Sequence, residues 1–440
     1  MAPAVASTLP LAIRYHLAML KSRLKSRVLP LLLLSVAIAA GAQTALKPHT
    51  LRLASGKSIT LSLPAGFDID IAAQGMRRVR FMARSPDGRI FATDMHSLAD
   101  NTQGAIYILD GWNARTHTFA SRTTYLRHLR NPNNVAFYTD PSGQSWLYTA
   151  LTDRLLRYKY KAGDNAPTGP PEVLAHYPDY GLSYKYGGWH LTRTVAFAGL
   201  HGHTRLYVTV GSSCNACIEK EPIRASLSVM DPDGGNPQII AHGLRNAVDM
   251  AFVPSIDDGA LFATNMGDDH LGNATPEDTF FELDSNRHPV AAGTNYGWPT
   301  CYFENGTAHP DRVIQHPEKP IFPPVGPTPP QFDCARVPAA YTTFAAHASP
   351  LGLAYFDDSN MLLKDTFVVA LHGAGKEYIG TGYKVVRFTP ASRRPVDFVR
   401  GFRSNGKVNG RPCGVLAMGK DAFLLTDDLN GVIYFIHGRS

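Results

Sequence analysis

In five of six segments of this sequence a cationic side chain or a histidine stands at a common distance before a short apolar triplet centred on alanine. Six residues before Ala83, Ala136, Ala196, Ala251, Ala354 and Ala417 stand Arg77, Arg130, His190, Arg245, Ala348 and Arg411, with His347 beside the one exception. Histidine has an unperturbed pKa near 6.5 and takes a proton at neutral pH, so His190 is the general-base candidate. Arginines bind planar anions through charge-assisted, bidentate hydrogen bonds. The strand after each triplet ends in small or oxygen-bearing residues: Asp94, Gly211-Ser212, Met266-Gly267-Asp268-Asp269, His372-Gly373 and Thr426-Asp427-Asp428. Loops rich in such oxygens suit a hard cation such as calcium. Taken singly, each arginine reads equally well as a surface salt bridge, each aspartate cluster as a turn and His190 as a structural histidine. The shared offset favours one site for a polyanionic small molecule bridged by a cation.

The elements that position these residues repeat. Each triplet is followed by a turn and a second strand. Examples are Val195-Ala196-Phe197 with Leu206 to Val210, Met250-Ala251-Phe252 with Leu261 to Asn265, and Leu416-Ala417-Met418 with Ala422 to Thr426. The first unit, Met82-Ala83-Arg84, is the weakest match. Third strands are visible at Leu155–Tyr158, Tyr383–Phe388 and Val432–Ile436. Charged residues are only 18% of the chain, turn-forming Gly and Pro number 38 and 32, and long helical periodicity is nearly absent. This is an all-β composition with many turns. Six such units predict a six-bladed β-propeller of four-stranded antiparallel blades; six repeats are too many for a β-sandwich. The long gap between Ala251 and Ala354 holds a Pro-rich insertion at about residues 300–340. Residues 51–63 are expected to supply the outer strand that closes the ring. In a blade, the first strand starts at the face where the second ends, so the ring of cations and the oxygen-bearing strand ends meet at one channel mouth.

The first 42 residues read as a secretory signal peptide, and residues 43–440 as the propeller. Lys21, Arg23, Lys25 and Arg27 precede an apolar run from Val28 to Ala40 and then Ala40-Gly41-Ala42. That run is shorter than the roughly 20 residues of a membrane span, so cleavage leaves no stable membrane span and places the protein in the periplasm or outside the cell. Met19 would be the more ordinary start for this leader. Five of the seven net positive charges lie in the leader, with Arg14 the fifth, and the remainder is near +2. That balance carries no nucleic-acid footprint, and no Walker or dinucleotide-binding glycine motif follows a strand. Export permits disulfides among the five cysteines. Cys214 and Cys217 form a C-x-x-C without the following histidine that covalent haem needs, and are expected to pair. Cys301 and Cys334 would staple the Pro-rich segment, worth roughly 3–4 kcal/mol. A four-cysteine zinc site is the other arrangement, disfavoured by export and by the lack of a second close pair. Cys413 is left as a buried thiol.

At this point the chain resembles the soluble pyrroloquinoline-quinone-dependent sugar dehydrogenases, the glucose/sorbosone dehydrogenase family and its pyranose dehydrogenase relatives. The resemblance covers residues 60–437. It rests on Gly243-Leu244-Arg245-Asn246, Asn295-Tyr296-Gly297-Trp298-Pro299, Gly211 to Cys217, Pro350-Leu351-Gly352-Leu353, Ala370-Leu371-His372-Gly373, Gly382 to Val386 and Gly410-Arg411-Pro412, in that combination. It implies a six-bladed propeller with calcium and the quinone at one mouth. His190 then matches the base that removes a sugar hydroxyl proton while hydride passes to the quinone. Arg245 matches the group that polarises the quinone carbonyl, with Asn246 on the same edge. Arg411 matches a position that holds the cofactor carboxylates, Asn133 or Asn134 a polar cofactor contact, and Gly267 and Asp268 the loop that offers calcium its carbonyl ligands. Lys376 is the nearest counterpart of a cofactor-clamping lysine. The family has an acid directly before the base, whereas here Trp189 precedes His190. The resemblance implies oxidation of an aldose, pyranose or sorbosone, with electrons leaving to an external acceptor. Two other classes fit a six-bladed ring: a calcium-dependent lactonase, and a non-catalytic binding propeller. A neutral lactone gains little from several arginines, which separates the first of these from a tricarboxylate quinone.

Overall fold

The computed structural model describes residues 45–179, 190–311, 332–359 and 362–439. The leader, Trp189 and the middle of the Pro-rich stretch lie outside the described residues. Within them the chain forms six antiparallel blades. Blade 1 comprises Val79–Arg84, Ile90–Asp94, Gly104–Asn113 and Thr118–Leu129, and blade 2 comprises Val135–Thr139, Ser145–Ala150, Arg154–Tyr160 and Glu172–His176. Blade 3 comprises Arg193–Leu200, His203–Val210, Ser226–Met230 and Gln238–His242, with Thr294–Asn295 added in parallel at its edge. Blade 4 comprises Ala247–Val253, Ala260–Asn265, Asp278–Ser285 and Thr342–Phe344. Blade 5 comprises Pro350–Phe356, Thr366–Leu371, Lys384–Phe388 and Val396–Val399. Blade 6 is Pro412–Gly419, Ala422–Asp427 and Val432–Gly438, completed by Phe67–Gln74 from the start of the propeller.

The strand that closes the ring is therefore Phe67–Gln74, and the expectation for residues 51–63 is corrected. The turn at Ser55-Gly56 folds Leu46–Arg52 back onto Ser58–Pro64 as a separate hairpin, which meets blade 5 through one bridge, Ser62 to Arg400.

Second strands are buried along their whole length in blades 1, 4 and 5, because a neighbouring blade covers each face. That explains their near-continuous apolar sequence. Aromatic rings fill the seams: Phe262, Phe280, Phe367 and Phe388 pack between blades 4 and 5 with centroids 4.8 to 5.7 Å apart, and truncating one such ring costs about 3–5 kcal/mol. Closer to the axis a repeated threonine ties the blades. Thr93 donates to the Asn133 carbonyl at 2.7 Å, Thr209 to Ala247 at 2.8 Å, Thr264 to Leu351 at 2.8 Å and Thr426 to Arg80 at 2.7 Å. Each hydroxyl satisfies a carbonyl of the next inner strand that a buried seam would leave unpaired. Where inner strands converge no side chain fits: a Cβ on Gly352 would meet the Cys413 carbonyl at 2.3 Å.

Both expected disulfides are present, Cys214–Cys217 and Cys301–Cys334, and Cys413 is a buried free thiol. The second disulfide joins a small hairpin, Cys301–Glu304 with Thr307–Pro310, to a single 3-10 turn at Cys334–Arg336 capped by Asp333.

Candidate active site

At one rim of the ring, the residue after each second strand pairs back to the residue before the first strand. The amide of Met95 donates to the Arg78 carbonyl, Gly211 to Thr192, Met266 to Asn246, His372 to Ser349 and Asp428 to Arg411; in blade 2 the bond runs instead from Thr152, two residues past the strand, to Arg130. These bonds bring the two sets of polar residues named above to one mouth.

His190 enters blade 3 with a positive φ of 42°, a conformation that a non-glycine residue adopts only when its surroundings hold it. Arg193, fully buried, donates to the His190 carbonyl at 2.7 Å. Gly211 lies against the histidine so closely that a Cβ there would meet His190 Cβ at 2.5 Å and Asn246 Oδ1 at 2.6 Å. The ring is held by Ser212, whose Oγ is 2.7 Å and carbonyl 3.2 Å from Nδ1. The Ser212 hydroxyl donates its one proton to the Cys214 carbonyl at 2.7 Å, so it accepts from His190. Nδ1 therefore carries the proton, and Nε2 has the lone pair that a base requires. Burial, and after it the Arg245 charge, hold His190 well below the ordinary histidine range. The imidazole is neutral at neutral pH.

The same disulfide-bound loop grips Arg245. Its Nε donates to the Asn215 carbonyl at 2.8 Å and an Nη to Asn215 Oδ1 at 2.7 Å. The other Nη donates to the Gly267 carbonyl at 2.7 Å, and the Nη on Asn215 also donates to Asp269 Oδ2 at 3.2 Å. Trp298 Nε1 donates to the same Asn215 carbonyl at 2.9 Å. Asp269 also faces His347: Nδ1 is 3.0 Å from Asp269 Oδ1 and Nε2 is 2.7 Å from the Gly272 carbonyl. Both ring nitrogens face acceptors, so His347 is an imidazolium, in line with its raised pKa, to which the Asp269 bond contributes most. Burial opposes ionisation of Asp269, yet the His347 bond and Arg245 bring it to about 2. The mouth thus holds two histidines in opposite states, a neutral one at His190 and a cation at His347.

Across the mouth, Asp428 is fully buried and takes Arg80 at 2.9 Å, Arg78 at 3.2 Å and His372 at 2.9 Å. Burial opposes its charge, but His372, Arg80 and Arg78 hold it far below the usual carboxylate range. Arg411 donates to the Gly373 carbonyl at 3.0 Å, the Ala374 carbonyl at 3.2 Å and the Tyr383 hydroxyl at 3.3 Å; its nearest carboxylate, Glu377, is 3.7 Å away.

Of the residues singled out in the sequence, His190, Arg245 and Asn246 come together. Asn246 is buried and accepts from Thr192 Oγ1 at 2.9 Å. Asn133 and Asn134 lie in the seam between blades instead. Asn134 exchanges two bonds with the Val195 backbone, 2.8 and 3.1 Å. Asn133 donates to Thr194 and to the Val248 carbonyl, and its buried Oδ1 has no hydrogen-bond partner among the described residues. Lys376 is exposed. Arg77 is exposed too, with Arg78 and Arg80 inside in its place. Arg130 is neutralised by Asp100 at 2.6 Å and by Asp179. The Gly267 carbonyl faces the Arg245 guanidinium, and the Asp268 carboxylate faces His270. The calcium expected at this loop would be met by the backbone carbonyls of Gly267 and Asp268, the first of which already accepts from Arg245. Sequence reasoning did not assign roles to Ser212, Asn215 or Arg78, and missed His270 altogether.

These features define a six-bladed propeller with a cationic mouth built around a neutral, oriented histidine. Residues 61–400 match the TrAA12-like family, and the chain belongs to it. No curated protein matches the chain in sequence. Among solved structures it is similar to the PQQ domain of pyranose dehydrogenase from Coprinopsis cinerea in holo form, 16% identical with a TM-score of 0.65, over 86% of this chain and 97% of that one. It is similar to a calcium structure of the Trichoderma reesei family AA12 carbohydrate-active enzyme, 15% identical with a TM-score of 0.64, over 86% and 97%. It is also similar to the soluble aldose sugar dehydrogenase of Escherichia coli in apo form, 13% identical with a TM-score of 0.56, over 85% and 100%. At these identities the shared property is the fold.

Proposed function

We propose that this chain is an exported sugar dehydrogenase that uses pyrroloquinoline quinone, takes an aldose, pyranose or sorbosone as substrate and passes electrons to an external acceptor. The observation that carries the reading is a single loop, Ser212 to Cys217, that orients a neutral histidine and grips an arginine. Base and electrophile are thereby fixed relative to each other. The names of the similar structures, a PQQ domain of pyranose dehydrogenase and an aldose sugar dehydrogenase, support it.

The donor set fits a polycarboxylate cofactor. Arg411 is bonded to carbonyls and a phenol, so its charge is largely unneutralised, and Asp428 offsets only one of the two arginine charges beside it. Both places attract carboxylates with charge-assisted bonds. When bound, the quinone supplies a two-electron hydride acceptor. His190 Nε2 takes the hydroxyl proton of the sugar, and Ser212 keeps the proton on Nδ1. Arg245, locked by Asn215, stabilises negative charge developing nearby. Arg193 holds the strained His190 backbone in place. No step here is assigned to calcium.

The test is to reconstitute purified protein with pyrroloquinoline quinone, with and without calcium, and follow dye reduction across aldoses, pyranoses and sorbosone. Quinone-dependent, sugar-dependent reduction supports the reading. Failure of the quinone to bind overturns it in favour of a lactonase or a binding propeller.

A further inference from the structure

The loop that partners Arg245 continues into a second cluster. Asp268 and His270 follow the second strand of blade 4, and Asp311 follows the hairpin at Cys301–Pro310. His270 Nδ1 lies 3.2 Å from Asp268 Oδ1, and Nε2 lies 2.7 Å from Asp311 Oδ2; the three side chains are 5%, 2% and 0% exposed. One ligand atom from each residue lies within 4.8 Å of the others. Yet neither His270 nitrogen, nor Asp268 Oδ1, makes a hydrogen bond among the described residues, although all three atoms are buried. The distances are short but lack hydrogen-bond direction, which leaves these lone pairs crowded together without protons between them. A buried polar group left unsatisfied is costly, and a cation bound by one ring nitrogen and one oxygen of each aspartate satisfies an atom of every residue, while the other ring nitrogen keeps its proton.

We propose that Asp268, His270 and Asp311 bind a divalent transition metal of the zinc-to-manganese class. One imidazole nitrogen with two carboxylates suits such ions, whereas calcium takes six to eight oxygens and no nitrogen. The site is separate from the mouth, because the Asp268 carboxylate turns into it while the Gly267 carbonyl faces Arg245. Its effect is structural. The metal ties the Gly267–Asp269 loop, and through it Arg245 and His347, to the segment following the hairpin that Cys301–Cys334 anchors. The Asp311 amide is itself fixed on the Thr300 carbonyl at 2.8 Å. The proposal does not depend on the quinone.

The competing arrangement is a protonated His270 wedged between two carboxylates, and its raised pKa fits that as well, with the nearby Asp311 the largest cause. Metal analysis separates the two. Every protein carries His117→Ala, which removes the partly exposed Asp70, His117 and His437 cluster from the count. Chelator-stripped protein is dialysed against micromolar zinc, manganese or calcium and its metal content is measured; cobalt uptake is followed by visible absorption. The expected result is one zinc or manganese per chain, falling below about a tenth in His270→Gln and Asp311→Asn, with cobalt bands lost in parallel. If those variants do not fold, the parent's cobalt spectrum, showing nitrogen ligation at one equivalent, carries the test. No stoichiometric uptake, uptake of calcium alone, or uptake unchanged in folded His270→Gln would overturn the proposal.

Discussion

Replacing Ser212 by alanine isolates the claim that a hydroxyl orients the base. The side chain accepts from His190 Nδ1 at 2.7 Å and donates to the Cys214 carbonyl at 2.7 Å. In the variant the Ser212 carbonyl, 3.2 Å from Nδ1, remains as a longer acceptor. Losing one neutral hydrogen bond with partial replacement is worth about 1 kcal/mol, or a factor of roughly five to ten in rate. Removing His190 itself forfeits general-base catalysis, about 100- to 10,000-fold. We therefore expect Ser212→Ala to lower kcat roughly five- to tenfold in the quinone-reconstituted dye assay, with KM for sugar little changed. Thermal unfolding, monitored alongside, reports the separate loss of the bond to Cys214. The double variant Ser212→Ala/His190→Ala supplies the sharper reading. A residue that acts through His190 adds nothing once His190 is gone, so the double variant should match His190→Ala alone. Additive losses in the double variant, or a kcat within twofold of the parent in Ser212→Ala, would refute the reasoning.

His190→Ala should abolish turnover while leaving quinone binding, followed by fluorescence quenching, largely intact; equal activity in both proteins ends the base assignment. Arg411→Ala should instead weaken quinone affinity by at least tenfold, as loss of a charge-assisted pair does, and an unchanged Kd would remove it from the cofactor site. His190 works deprotonated and its pKa is lowered by burial and by Arg245, so the rate should rise as pH climbs through a value below the ordinary histidine range and then level off. Arg245→Met lifts part of that depression. The acid limb of kcat/KM should move to higher pH, and a limb that stays in place shows that Arg245 does not act on His190. Asp428→Asn leaves Arg80 buried without its counter-charge and should destabilise the fold by about 3–5 kcal/mol, read as a lower midpoint in urea; a change under 1 kcal/mol would mean that another group neutralises Arg80.

What the sequence revealed, and what it hid, follows from which interactions are local in the chain. The blades were legible because each second strand is buried on both faces and its apolar run has to be continuous. The threonine near its end, at positions 93, 209, 264 and 426, recurs because it satisfies a carbonyl of the next blade. Blade 5 has Ala370 at this place. The mouth was legible only as far as a fixed count from alanine holds. Asp428 pairs back to Arg411 as Met95 does to Arg78, so the blade 1 counterpart of Arg411 is Arg78, one residue past the counted Arg77. Ala417 sits opposite Phe423, as Arg84 sits opposite Ile90; the blade 6 alanine is one step further along its strand than Ala83. A one-residue slip turns a side chain to the other face, and Arg77 is indeed exposed.

The partner of His190 was illegible for a different reason. With Trp189 directly before the histidine, no acid stood beside it in sequence, yet a tautomer can be set by any acceptor that the fold delivers. Here Ser212 comes from the far end of the paired strand, and its single proton is already committed to Cys214. The Cys214–Cys217 bridge thus acts on both chemical groups at once: Cys214 fixes the hydroxyl that orients the base, and Asn215 between the two cysteines fixes the arginine. The sequence could show that these cysteines are spaced to pair. Only the packing of blade 3 against blade 4 could show that the loop they close spans the distance between a proton acceptor and a cation.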